Sequence, residues 1–239
     1  MFIKPKMMPP SVRFLSIVIF LLLISCKAKM IGQGISSNDI LQSNVKAISS
    51  IANDSIPNDT TFVDLNDFSQ DFIYDMKYAT TDNFLKSQVY DCAQCYLRFK
   101  TVKALLLANK KIMKKGFRIK IFDCYRPLDI QKRMWEIVPN PEYVANPSNG
   151  SIHNRGGAVD ITLVNQDGIE LDMGTPFDHF GVESSHDYSD LSDEVIANRK
   201  LLKKIMLKKH FESFDSEWWH YNLKKAKRDK ISNFKWQCD

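Results

Sequence analysis

Four residues in two short segments carry the chemistry of this chain. The first segment is Ser151-Ile-His153-Asn-Arg155-Gly156-Gly157-Ala158-Val159-Asp160; the second is Glu217-Trp218-Trp219-His220. They offer two imidazoles, a carboxylate and a further glutamate. A catalytic zinc site needs that set: three protein ligands, one open position for water, and a base beside it. His153, Asp160 and His220 are the candidate ligands and Glu217 the candidate base. Each segment is weak evidence by itself. A His and an Asp seven positions apart more often form a satisfied polar pair, and an aromatic Glu-Trp-Trp-His run more often forms a core strand.

The elements that must position these residues can be read from the periodicity. Leu97 to Lys115 has Val102, Leu105, Leu106 and Ile112 near helical spacing and Gly116 as a stop. Phe117 to Phe122 alternates like a strand and runs into Asp123-Cys124-Tyr125-Arg126-Pro127, where Pro127 suits the first turn of a helix reaching about Val138. Residues 140–150 form a Pro/Asn/Ser loop. Gly157 to Val164 reads as a strand with Val159, Ile161 and Leu163 on one face and Asp160 and Thr162 on the other. The Gly156-Gly157 pair lets the chain fold back between a loop ligand and a strand ligand. Ser192 can cap a helix to about Lys209, and Trp218 to Leu223 closes the series as a strand. Strands and helices mix without a regular βαβ alternation, so the expected class is α+β.

The N-terminal segment has a different character. Lys4, Lys6 and Arg13 precede an apolar run from Phe14 to Ile24. The run is shorter than the roughly 20 residues a spanning helix needs, but it suits a secretory signal. It ends in Leu23-Ile24-Ser25-Cys26, which resembles a bacterial lipobox. The expectation is a lipoprotein-type signal over residues 1–25 with Cys26 lipidated, a flexible tether over 27–60, and one domain over 61–239. The protein would then be exported and anchored by lipid to a membrane, facing the periplasm. The formal net charge of +5 falls to about +2 without the three basic residues of the signal. The Lys224–Lys230 basic cluster reads as a solvated face, and no nucleic-acid partner is expected. Cys92, Cys95, Cys124 and Cys238 allow three complete disulfide pairings, which sequence does not decide. Oligomeric state is equally undetermined. His179, His186 and His210 are expected near or at the surface.

Five segments in order resemble the zinc D-alanyl-D-alanine dipeptidases, a branch of the D,D-peptidase superfamily that shares its fold with the Hedgehog N-terminal domain. They are Lys77-Tyr78-Ala79-Thr80-Thr81-Asp82-Asn83-Phe84, Tyr125-Arg126-Pro127, the His153/Asp160 segment, Met173-Gly174-Thr175-Pro176-Phe177-Asp178, and Glu217-Trp218-Trp219-His220-Tyr221. The resemblance implies a single α+β domain with a central, mainly antiparallel sheet flanked by helices, and one zinc ion per chain. It implies His153, Asp160 and His220 as zinc ligands and Glu217 as the catalytic base. Arg126 would steady the oxyanion, Asp178 would receive the substrate's ammonium, and Tyr78 and Ser151 would line the pocket. The implied reaction is hydrolysis of D-Ala-D-Ala, or a close D,D-dipeptide, by a zinc-activated water. Two alternatives remain at this point: a D,D-carboxypeptidase or endopeptidase acting on peptidoglycan stems, and a wall-binding lipoprotein with a structural zinc. The best-known family members are cytoplasmic, so the export signal departs from the pattern and fits turnover or salvage of wall-derived dipeptides.

Overall fold

The computed structural model describes residues 56–238. The expected signal, Cys26 and most of the tether lie outside the described residues. Strands are β1 (Phe62–Asp64), β2 (Ile73–Tyr74), β3 (Tyr96–Arg98), β4 (Arg118–Asp123), β5 (Ala158–Val164), β6 (Phe211–Phe214) and β7 (Glu217–Leu223); helices are α1 (Phe99–Met113), α2 (Leu128–Ile137) and α3 (Asp193–Lys208). A five-stranded sheet has the order β2-β4-β5-β7-β6, and β1 pairs with β3 in a separate two-stranded sheet. In the larger sheet only the β2–β4 pairing is parallel. The class is α+β with a mainly antiparallel sheet.

The core follows from the alternation along the strands. Ile119 and Ile121 of β4, and Ile161 and Leu163 of β5, are fully buried with Val102, Leu105 and Ile112 of α1 and Leu202 and Met206 of α3. At about 25 cal/mol per Å² of apolar surface, each such side chain contributes roughly 1.5–3 kcal/mol. Side chains alternate across a strand, so burying Val159, Ile161 and Leu163 towards this core sends Asp160 to the opposite face. Ser192 caps α3, its hydroxyl accepting the Val195 N–H at 3.3 Å.

One boundary differs from the periodicity. Leu97 and Arg98 read as helix but belong to β3, paired with Val63 and Phe62. Tertiary bonds outweigh helical propensity here: Arg98 donates to the carbonyls of Arg155 and Lys230 at 2.7 and 3.1 Å. The cysteines pair as Cys92–Cys238 and Cys95–Cys124. Among the described residues no helix is long and apolar enough to cross a membrane.

Candidate active site

Cross-strand register builds the floor of the site. Asp123 on β4 lies opposite Asp160 on β5, and Asp160 lies opposite His220 on β7. Directly opposed residues share a face, so these three form a row across the sheet. Glu217 and His220 are three apart and would point to opposite faces of a regular strand. An irregularity in the β6–β7 pairing resolves this, since Ser213 pairs with Tyr221 but Phe214 pairs with Glu217. The extra residues on β7 turn Glu217 into the same cavity as His220.

His153 arrives from a short 3-10 turn, His153–Arg155, before β5. Gly156 ends that turn with φ +68°, in the left-handed region, where a Cβ would run into the Phe62 ring and the Arg98 backbone. Gly157 has a different reason to be glycine: a Cβ there would overlap the Ala226 methyl.

Donor atoms of His153, Asp160 and His220 all lie within 4.8 Å of one another. His153 Nδ1 sits 2.6 Å from the Cys124 carbonyl oxygen, and His220 Nε2 sits 2.9 Å from Asn222 Oδ1. Both outer nitrogens therefore donate, which leaves the lone pairs of His153 Nε2 and His220 Nδ1 facing each other at 3.2 Å. Two inner nitrogens that close must share a positive charge, either a proton on His220 Nδ1 or a metal ion. Asp160 supplies the negative charge, Oδ1 standing 2.9 Å from His220 Nδ1 and Oδ2 3.4 Å from His153 Nε2. Two imidazole nitrogens and a carboxylate oxygen, each imidazole oriented by an outer acceptor, are the donor chemistry of a zinc site. Among the described residues the group contains three, the number of protein ligands a catalytic zinc site has, where a closed structural site has four.

The surrounding charges shift these groups. Burial opposes ionisation of Asp160, but the two histidines outweigh it and hold the carboxyl well below its usual range. Burial pushes His220 down, and its bond to Asp160 overrides this and raises it to about 9. Glu217 is raised by burial, opposed by His220 and reinforced by Asp160. A raised carboxylate is a better proton acceptor near neutral pH.

Arg126 is buried at the edge of the same cavity. Its guanidinium donates to Asp123 Oδ2 at 2.7 Å and to Gln131 Oε1 at 3.1 Å, while its Nε has no hydrogen-bond partner. The Tyr78 ring lies under it at 5.1 Å. Tyr78 in turn donates its hydroxyl to both oxygens of Asp178, at 3.2 and 3.0 Å. Asp178 has φ 60°, a left-handed conformation that Asp tolerates better than most residues. Burial, and then the Asp160 charge, push its carboxyl well above the ordinary value. Ser151 receives the Asn154 N–H on its hydroxyl at 3.3 Å and borders the cavity. The eight residues singled out in the sequence all line one cavity of about 280 Å³.

Several partners were not legible in the sequence. Asp123 accepts from the Tyr90 hydroxyl at 2.7 Å as well as from Arg126. Arg199 on α3 donates to the carbonyls of Met173, Ser185 and Glu183, which fixes the loop carrying Asp178. Thr175, in that loop, accepts from the Trp218 indole at 2.8 Å. Asn222 had one available signal, its position two residues after His220 on the same strand face. His179 is exposed and pairs with Glu183 at 3.2 Å, and His210 is exposed. His186 departs from the surface expectation: it is half-buried, and desolvation lowers it to about 4.

The model of the D-Ala-D-Ala dipeptidase family matches residues 58–237. The chain belongs to that family. A D-alanyl-D-alanine dipeptidase of Escherichia coli is 36% identical over 167 residues, which cover 70% of this chain and 86% of that protein. One from Enterococcus faecium is 31% identical over 175 residues, covering 63% and 85%. A solved D,D-pentapeptidase from a VanB-type vancomycin-resistance cassette, in complex with Zn(II), aligns with TM-score 0.36 and 16% identity over 56% of this chain and 75% of that one. Family membership together with the His153/Asp160/His220 donor set makes the chain a metallopeptidase, with zinc as its metal.

Proposed function

We propose that this peptidase hydrolyses D-Ala-D-Ala or a closely related D,D-dipeptide. His153, Asp160 and His220 would hold the zinc, which would supply Lewis-acid activation of a water near neutral pH. Glu217 accepts that water's proton and passes it to the leaving amine. Arg126 faces the developing oxyanion with a charge already fixed by Asp123 and Gln131, so little reorganisation accompanies the reaction. Asp178 receives the substrate's ammonium, with Tyr78 orienting the carboxylate and Ser151 lining the pocket.

One observation carries this reading. A single cavity of about 280 Å³ holds the His/Asp/His donor set, the raised Glu217 and a further, half-buried carboxylate at Asp178. A carboxylate in that position suits a free ammonium, and an acylated amine would leave it without a partner.

The test is D-alanine release from D-Ala-D-Ala beside an N-acylated longer peptide ending in D-Ala-D-Ala. Release from the free dipeptide alone is expected. Release from the longer peptide would move the assignment to stem trimming, and release from neither would end it. Glu217→Gln should lower kcat by about 10²–10⁴ while zinc stays bound; unchanged turnover would remove Glu217 from its role.

The site of action we propose is outside the cytoplasm, with Cys26 carrying lipid and residues 27–60 acting as a tether. The signal-like N-terminal segment supports it. So do two disulfides, which persist in oxidising compartments and are rare in the cytosol.

A further inference from the structure

β4 pairs with its neighbour as far as Asp123, opposite Asp160. The residues that follow leave the ladder, yet they carry two parts of the site. Cys124 presents the carbonyl that receives His153 Nδ1 at 2.6 Å. Arg126 presents the buried guanidinium. Some of the bonds holding this segment come from the loop it orients: Arg126 N–H donates to the His153 carbonyl at 3.2 Å, and the Asn154 side chain donates to the Arg126 carbonyl at 2.8 Å. Those bonds cannot fix both partners. The anchors from outside that loop are the Tyr125 N–H bond to the Tyr96 carbonyl at 2.9 Å, the Tyr125 hydroxyl bond to the Phe234 carbonyl at 3.1 Å, the Arg126 side-chain bonds to Asp123 and Gln131, and the Cys95–Cys124 disulfide, which is the covalent one and the one attached to Cys124 itself. Cys95 is itself fixed, since its carbonyl accepts the Leu65 N–H at 2.9 Å and β3 begins at the next residue.

We propose that the Cys95–Cys124 disulfide is a positioning element of the metal centre. It fixes the Cys124 carbonyl, which holds His153 in the ring orientation and tautomer that zinc requires. Zinc affinity then depends on the oxidation of this pair. The sensitivity follows from geometry. A carbonyl displaced by about 1 Å from 2.6 Å is beyond hydrogen-bond distance, and the imidazole is then free to rotate or to protonate at the wrong nitrogen. Loss of such an outer partner typically weakens metal binding about 10–100-fold. The bond forms by exchange with a disulfide carrier: the two thiols give up two electrons and two protons, and the carrier leaves as its dithiol. Both sulfurs are buried in the fold, at 1% and 0% exposure, so the bond is shielded from thiols once made.

The other disulfide is the comparison. Cys92–Cys238 ties down the C-terminal tail, which meets this segment at the Tyr125 side chain through Phe234 and Trp236, and neither of its cysteines bonds to a candidate zinc ligand or to Cys124. The inference rests on His153 being a ligand, which His153→Ala tests separately by abolishing zinc binding. No substrate is needed, so the outcome is independent of the dipeptide reading.

The experiment is a zinc Kd, measured by competition with a chromogenic chelator. It compares the parent, Cys95→Ala/Cys124→Ala and Cys92→Ala/Cys238→Ala at a temperature where circular dichroism shows all three folded. The first pair should bind zinc about 10–100-fold more weakly, and the second should stay within about threefold of the parent. A bond that only stabilised the fold would lower the Tm and leave the Kd of folded protein unchanged. An unchanged Kd in the first variant, or equal losses in both, overturns the proposal. If the alanine pair does not fold, Cys95→Val/Cys124→Ala fills the space without the bond and is read the same way.

Discussion

Replacing Asp178 by Asn should separate activity from stability. The change keeps an oxygen to accept the Tyr78 hydroxyl, now 3.0 Å away, and removes only the charge. In the free protein that charge is unfavourable, because burial and then Asp160 push the carboxyl above its ordinary value. A carboxyl raised in the folded state binds protons more tightly than in the unfolded chain. Its contribution is most favourable at low pH and is lost as pH rises through the folded value. At pH 8 the Asn variant should therefore be the more stable protein. A gain of about 1 kcal/mol corresponds to a Tm higher by roughly 2–4 °C for a chain of this size. Activity should move the other way. Removing one partner of a buried charge pair costs about 2–5 kcal/mol, which at about 1.4 kcal/mol per tenfold is a fall of roughly 30- to 4,000-fold in kcat/KM for the free dipeptide. Calorimetry at pH 5 and 8 gives the first quantity, and released D-alanine gives the second. A kcat/KM within threefold of the parent would refute the ammonium-binding role. A Tm lowered at pH 8 would refute the electrostatic account.

Asn222→Leu should weaken zinc binding about 10–100-fold through loss of the acceptor at His220 Nε2, and Asn222→Asp should restore it; chelator competition checks both. Because His220 in the metal-free protein is raised to about 9, zinc must displace a proton at neutral pH. Affinity should thus rise towards pH 9 and level off above it, and calorimetry in buffers of different ionisation enthalpy should count about one proton released at pH 7. Gly157→Ala would drive a methyl into Ala226 and should cost about 1–3 kcal/mol, read as a lower Cm in urea. Arg126→Lys keeps the charge but loses the fork to Asp123 and Gln131, and should lower kcat more than it changes KM.

The parts of this fold that periodicity reveals are those whose two faces differ in chemistry. β5 showed its alternation because Val159, Ile161 and Leu163 face the helices while Asp160 faces the cavity. Periodicity starts α1 two residues too early because Leu97 and Arg98 are held by β1 and by distant carbonyls, which leave no local trace. The site divides similarly. Motif residues such as His153 and His220 stand out by type and spacing. The Cys124 carbonyl, the Asp123 link between Tyr90 and Arg126, and the Arg199 clamp depend on pairings 29 or more positions apart or on backbone atoms, which composition does not encode. The bulge that turns Glu217 inwards is set by the register of β6 against β7, and periodicity alone would have placed Glu217 on the wrong face.

The Cys92–Cys238 bond spans 146 positions of sequence. Seven of the eight site residues, from Arg126 to His220, fall inside the covalent ring it closes; Tyr78 alone lies outside. A protease that cuts an exposed loop within that ring, such as residues 140–150, opens the ring without releasing a fragment. The two pieces stay linked through sulfur and stay packed on the same sheet. An enzyme built this way tolerates a nick between Arg126 and its metal ligands, and its working life in the presence of proteases is set by a second cut rather than the first.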